Sequence, residues 1–300
     1  MKIFAALLLL ATSAAAQTSA NGLLEEAAPP GANYDKAEFR FWAPKTSTPL
    51  RAVVVLVPGS NGDGRGQVED TVWQAFATKH SLALIGCRFT DKVHDQSFIE
   101  EYIKVADGSG QALIDAVAKF GARAQHSELA SAPFFMWGMS AGGQFNYEFA
   151  AWKPERVAAF VVNKGGIYYS ALVPKATREV PALLFVGGKD LEFRTNTIVG
   201  LFAVNRRGGA LWALAEEPAA GHIVGRSRDI ALAFYEDLIP LRLGNPLKPL
   251  DGKTGFIGDF KAKTYAAVGE KPPAVPTAWL TTERVAKTWQ AMVNEKPFEP

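Results

Sequence analysis

The chain has 300 residues, of which 48% are hydrophobic and 21% charged, the balance of a packed globular protein rather than a disordered one. Its 32 Lys and Arg against 30 Asp and Glu leave a formal charge of +2, scattered with no basic stripe, which speaks against a nucleic-acid partner. A single cysteine, Cys87, excludes an internal disulfide and a cysteine-based zinc site.

The chain opens "MKIFAALLLLATSAAAQTSA". Lys2 supplies the positive start, Ile3 to Ala11 the apolar core, and Ala14-Ala15-Ala16 an A-x-A cleavage site, so residues 1–16 read as a signal peptide cleaved near Ala16. A transmembrane anchor needs about 20 apolar residues. This run is shorter, and no later segment is long and apolar enough to span a bilayer. The expectation is an exported protein, periplasmic or secreted, with no membrane span. Residues 17–35, rich in Ala, Gly, Pro and Asn, read as a flexible leader.

Residues 36–244 alternate between two patterns. "KAEFRFWAP" alternates like a half-buried strand, and "RAVVVLVPG" (51–59) is a continuous β-branched run that suits a strand covered on both faces. "VEDTVWQAFATKH" (68–80) has helical spacing, and "LALIGCRF" (82–89) is a further buried strand with Cys87 as a structural thiol. Helix "GQALIDAVAKFGAR" (110–123), strand "APFFMWG" (132–138) and helix "GGQFNYEFAAW" (142–152) follow. Two more strands, "VAAFVVNKG" (157–165) and "VPALLFVGG" (180–188), precede helix 195–208, strand 210–217 and helix 226–240. This alternation predicts an α/β fold with a mostly parallel central sheet and helices on both faces. Residues 245–300 are richer in Gly, Pro and Lys, with two short candidate strands. There Thr281 or Thr282 caps a last helix, "ERVAKTWQAMVN". They read as an extension packed on the same domain, too small in core to stand alone.

Gly138-Met139-Ser140-Ala141-Gly142 lies between a predicted strand and a predicted helix. A G-x-S-x-G turn in that setting exposes its serine as a nucleophile, and the partners follow in the order Asp or Glu, then His. Of four histidines only His222 lies after Ser140, in the loop "PAAGHIVGRS" between the last strand and the helix at 226–240. Asp190 stands just beyond a buried strand, placed to hold an imidazole in one tautomer, with Glu192 as second choice. The oxyanion donors expected are the N–H of Ala141 and one from "PGSNGDGRG" (58–66), Ser60 first and Asn61 next. That loop lacks a Gly-Lys-Ser/Thr ending for phosphates and the ligand spacing for calcium. No metal or organic cofactor is called for.

On these residues the chain resembles α/β-hydrolase-fold serine esterases over most of residues 36–243. "GMSAGG", the short Pro-Gly loop and the single-domain length resemble the polyhydroxybutyrate depolymerase, feruloyl esterase and acetyl xylan esterase group, with dienelactone-hydrolase-like proteins close in pattern. Those families usually carry His-Gly where this chain has Pro58-Gly59, and the two disulfides of some fungal feruloyl esterases are absent. The resemblance implies a carboxylic ester hydrolase acting through Ser140, His222 and Asp190. The connection 163–180 is too short for a large lid, which suits bulky or polymer-linked esters. Asn61, Trp73, Phe89, Tyr168, Tyr169 and Phe193 are the candidates for lining the cleft. The other readings are a prolyl-oligopeptidase-type serine peptidase, whose propeller residues 17–50 could not contain, and a hydrolase-like binding module.

Overall fold

The computed structural model describes residues 22–96, 99–269 and 277–298, so the expected signal peptide lies outside the described residues. The strands are β1 (Leu24–Ala28), β2 (Lys36–Trp42), β3 (Ala52–Val57), β4 (Leu82–Thr90), β5 (Phe134–Gly138), β6 (Val157–Asn163), β7 (Ala182–Gly187) and β8 (Trp212–Glu217), followed by β9 (Phe256–Asp259), β10 (Thr264–Ala267) and β11 (Ala278–Leu280). The helices are α1 (Thr71–His80), α2 (Ser109–Arg123), α3 (Ala141–Trp152), α4 (Lys175–Arg178), α5 (Glu192–Arg207), α6 (Ser227–Arg242) and α7 (Glu283–Val293).

β1 to β8 form one sheet in the order β1-β2-β4-β3-β5-β6-β7-β8. From β4 to β8 every neighbouring pair is parallel, and β2 runs antiparallel to both β1 and β4. The apolar runs cause this, because a parallel strand needs cover on both faces. On β3, Val53, Val55 and Val57 belong to one buried layer with Val117 and Phe120 of α2, Phe145 of α3 and Phe202 of α5. Ala52, Val54 and Leu56 belong to the buried layer on the other face, together with Trp73 of α1, Phe234 of α6 and Trp289 of α7. The order reverses at β3, whose neighbours β4 and β5 follow it in the chain on opposite sides. Such a switch leaves a crevice at the carboxyl ends of the strands, where open α/β sheets bind ligands.

Three segments differ from the sequence expectation. The flexible leader expected over 17–35 contains β1, which pairs along its whole length with β2. Leu24 is buried, the Glu26 carboxylate pairs with Lys119 and Arg123, and the Arg123 guanidinium also donates to Glu25 O at 2.7 Å. The helix expected from Val68 begins at Thr71, because the Asp70 carboxylate accepts from the Val72 and Trp73 N–H groups and caps it there. Residues 65–69 form a 3-10 turn before it. The C-terminal part has three strands rather than two, in a small sheet ordered β10-β9-β11.

The C-terminal residues lie against the larger sheet on the α1/α6 face. Thr282 caps α7 by accepting from Val285 N–H, and the Trp289 indole N–H donates to Leu214 O of β8 at 2.7 Å. Between β6 and β7 the 18 residues 164–181 carry only the single turn α4, and no domain is inserted there.

Candidate active site

Ser140 sits between the end of β5 and the start of α3, with φ 53° and ψ −124°. That left-handed backbone costs about 1–3 kcal/mol in a residue with a side chain, and its neighbours must enforce it. Ser140 N–H donates to Asn163 O at 2.8 Å, while Ser140 O accepts from the Gly143 and Gln144 N–H groups. The two motif glycines permit the approach. A Cβ on Gly142 would lie 2.1 Å from Val57 O, and one on Gly138 would lie 2.4 Å from the Gly142 backbone. The first turn of α3 therefore presses on the end of β3, and Ser140 is thrust up at the sheet's carboxyl edge.

His222 comes from the segment after β8 and Asp190 from the one after β7. The imidazole stands between the other two side chains. Its Nδ1 is 2.8 Å from Asp190 Oδ2 and its Nε2 is 3.0 Å from Ser140 Oγ. With a carboxylate at Nδ1, the neutral ring carries its proton there, and Nε2 is left to accept from the Ser140 hydroxyl. The Asp190 side chain is 2% exposed, whereas that of His222 is 30% exposed. Burial pushes the Asp190 carboxyl up, but bonds from His222, Leu191 N–H and Arg194 outweigh it and hold the group below its ordinary value. Glu192, the alternative acid, is exposed on the first turn of α5 with its carboxylate accepting from Asn196.

A cavity of about 470 Å³ opens beside this group, and Ser60, Ser140, Gln144, Ile167, Phe193 and His222 are among its walls. Ser60 therefore stands at the cavity, and a Cβ on its neighbour Gly59 would be 3.5 Å from the Ser140 Cβ. Ala141 is the first residue of α3, ahead of any carbonyl of the helix that its N–H could reach.

Of the six residues expected to line the cleft, Phe193 does so. The others are placed elsewhere by packing. Trp73 is buried on the α1 face against Trp137, and Phe89 is buried between Tyr102 and Phe145. Tyr168 packs edge-on against Tyr147, and burial pushes its phenol well up. Tyr169 is exposed beneath the Lys104 ammonium, with its N–H donating to Glu148. Asn61 braces its loop instead. Its N–H donates to the Tyr102 hydroxyl and its side-chain carbonyl accepts from Asp91 N–H.

Sequence reasoning missed Arg194 and Gln144, both at the cavity wall. Arg194 donates to Asp190 Oδ1 at 3.2 Å, one turn along α5, and Gln144 Oε1 accepts from Gly166 N–H at 2.8 Å. Both stand four residues after Asp190 and Ser140, in the first turn of the helix that follows each. Among the described residues no group of His, Cys, Asp and Glu is placed to hold a metal ion, and no helix is long and apolar enough to cross a membrane.

No protein-family model matches the chain, and no curated protein matches it either. Solved structures do. A ferulic acid esterase is 10% identical, with 73% of this chain and 96% of that one covered at a TM-score of 0.50. A thermostable esterase is 14% identical, with 69% of this chain and 56% of that one covered at a TM-score of 0.51. The poly(3-hydroxybutyrate) depolymerase LpqC from Bordetella parapertussis is 17% identical, with 74% and 90% covered at a TM-score of 0.49. At such identities the likeness to the two esterases is one of fold, and with the sheet order and the strand-end turn it makes this chain an α/β-hydrolase fold.

Proposed function

We propose that the protein is an exported serine esterase that cleaves carboxylic esters through an acyl-enzyme, with bulky or polymer-linked esters as the substrate class. Ser140 is the nucleophile, His222 the general base and acid, and Asp190 the carboxylate that orients the imidazole. The observation that carries this reading is the imidazole of His222 within hydrogen-bond reach of both Asp190 Oδ2 and Ser140 Oγ. A base needs that contact before its basicity matters.

In this mechanism Ser140 Oγ attacks the ester carbonyl while its proton passes to His222 Nε2. The carbonyl oxygen becomes an oxyanion that accepts from the N–H groups of Ala141 and Ser60. The C–O bond to the alcohol then breaks, and the alcohol departs with the proton from Nε2. Water attacks the acyl-enzyme, giving a proton to Nε2, and the bond from the acyl carbon to Ser140 Oγ then breaks, the acid leaving as Oγ takes that proton from Nε2. The β6–β7 connection carries no inserted domain that could cover the cavity, in keeping with a large acyl or alcohol group. Feruloylated or acetylated polysaccharide and polyesters are the substrates of that kind to test.

Purified protein is expected to react with a fluorophosphonate and to hydrolyse p-nitrophenyl acetate, both abolished in Ser140→Ala by roughly 10⁴-fold or more. A panel of methyl ferulate, acetylated xylan, polyhydroxybutyrate and peptide amides then assigns the acyl group. Turnover of peptide amides alone would overturn the ester reading, and wild-type protein inert to the probe would overturn the catalytic one.

A further inference from the structure

β5 and β8 are three strand steps apart, roughly 14 Å at the usual strand spacing. A side chain carried after β8 reaches Ser140 only if its segment folds back across the ends of β7 and β6. A free loop of that kind holds no single geometry, so something must hold residues 218–226 over the sheet.

The group that does so is a buried ion pair that takes no part in the proposed chemistry. Lys164, just past β6, is wholly buried, and Glu217, the last residue of β8, is 6% exposed. Lys164 Nζ donates to Glu217 Oε2 at 2.6 Å and to Asn163 Oδ1 at 3.2 Å. Taking two charges out of water carries a desolvation cost that their attraction does not in general recover, so such a pair is a poor source of stability by itself. Lys164 also has φ 56°, an unfavourable backbone for a residue with a long side chain.

What the pair organises is the His222 segment, at both of its ends. Glu217 Oε1 accepts from Arg226 N–H at 2.7 Å, and Glu217 O accepts from the Gly188 and Ala220 N–H groups. Gly225 lies against the carboxylate, where a Cβ would stand 2.2 Å from Glu217 Oε2. By donating to Asn163 Oδ1, Lys164 fixes which way the Asn163 amide faces, so Nδ2 donates to Val224 O at 3.0 Å and to Ser227 Oγ at 2.7 Å. The backbone carbonyl of the same Asn163 accepts from Ser140 N–H. One residue is thus bonded to the nucleophile turn through its main chain and to the His222 segment through its side chain.

We propose that Lys164 and Glu217, acting through Asn163, are positioning residues. They close the 218–226 segment on the nucleophile turn and set the His222 imidazole between Asp190 and Ser140. The proposal rests on the esterase reading for its kinetic consequences, but its geometric content stands apart from it.

The test compares wild type with Glu217→Gln, Lys164→Met and the double variant, with Ser140→Ala as the inert control. Each single variant leaves one buried charge without its partner. Each is expected to lower kcat for p-nitrophenyl acetate roughly 10- to 100-fold, the scale of an ångström-sized misplacement, with KM nearly unchanged. The double variant keeps an acceptor for Arg226 N–H and buries no lone charge, so it is expected to be more active than Lys164→Met alone. A spectroscopic readout accompanies the kinetics. The downfield Nδ1 proton of His222, assigned by its loss in His222→Gln, is expected in wild type and is weakened or lost in both single variants.

Single variants that melt lower yet keep wild-type kcat and an intact Nδ1 resonance would overturn the proposal and leave the pair a purely structural one. If Lys164→Met does not fold, the near-isosteric Glu217→Gln decides by the same two measurements. If wild-type protein proves inert to the fluorophosphonate, the esterase reading falls, and the resonance alone judges the clamp.

Discussion

Asp190 is held by three donors at once. Leu191 N–H and Arg194 Nη1 donate to Oδ1 at 2.7 and 3.2 Å, and His222 Nδ1 lies 2.8 Å from Oδ2. Each bond favours the carboxylate, which is why the group titrates low despite its burial. A depressed carboxyl binds fewer protons in the folded chain than in the unfolded one. Its stabilising contribution is therefore complete above the unfolded value of about 4 and fades as pH falls through the folded value. Asp190→Asn turns the acceptor at Nδ1 into a donor and forces the imidazole proton onto Nε2. Ester hydrolysis is expected to fall about 10⁴-fold in kcat, with a loss of melting temperature at neutral pH that shrinks in acid. Steady-state kinetics and thermal melts at two pH values check both parts.

At the scale of single elements, caps and charged loops decide where things begin. The loop after β3 carries Ser60 and is tied down by ion pairs that no periodicity foretells. Arg65 bonds Asp63 and holds its carboxyl down at about 2, and it also reaches Glu38, which Arg88 shares. These charges are a quarter or more exposed, so they fix the course of the loop more than they stabilise the fold. The capping carboxylate of Asp70 then starts α1. Asp70→Ala is expected to destabilise the protein by about 0.5–2 kcal/mol, read from the urea midpoint, and to leave kcat unchanged. A fall in kcat would mean that α1 also steers the cavity.

On the scale of the whole molecule, two faces of helix close over one sheet, and α7 completes the cover over β8. Trp289 is wholly buried, donates to Leu214 O and meets Phe260 edge-on at 6.0 Å between centroids. Arg206 of α5 reaches across to Thr277 O at 2.8 Å. Residues 245–300 are thereby expected to melt with the rest. Calorimetry of wild type should give a single transition, and Trp289→Ala should lower it as a unit, at a cost of about 3–5 kcal/mol. Two separate transitions would make the C-terminal residues a unit of their own.

The sequence by itself determined the alternation of buried strand and amphipathic helix, and it singled out Ser140, Asp190 and His222 by motif, strand-end position and order. Those are local facts, written in periodicity and in the few residues able to do the chemistry. Tertiary structure alone decided what depends on which distant surfaces meet. Leu24 to Ala28 carry no strand pattern of their own and become β1 only by pairing with β2. Trp73, Phe89 and Tyr168 suit a cleft or a core equally well as aromatic side chains, and packing settles Trp73 on one face of the sheet and Phe89 and Tyr168 on the other. Lys164 and Glu217 are 53 residues apart and meet only because β6 and β8 flank β7. A charge pair of that separation leaves no trace in a local pattern, since its partners are chosen by the order of strands in the sheet.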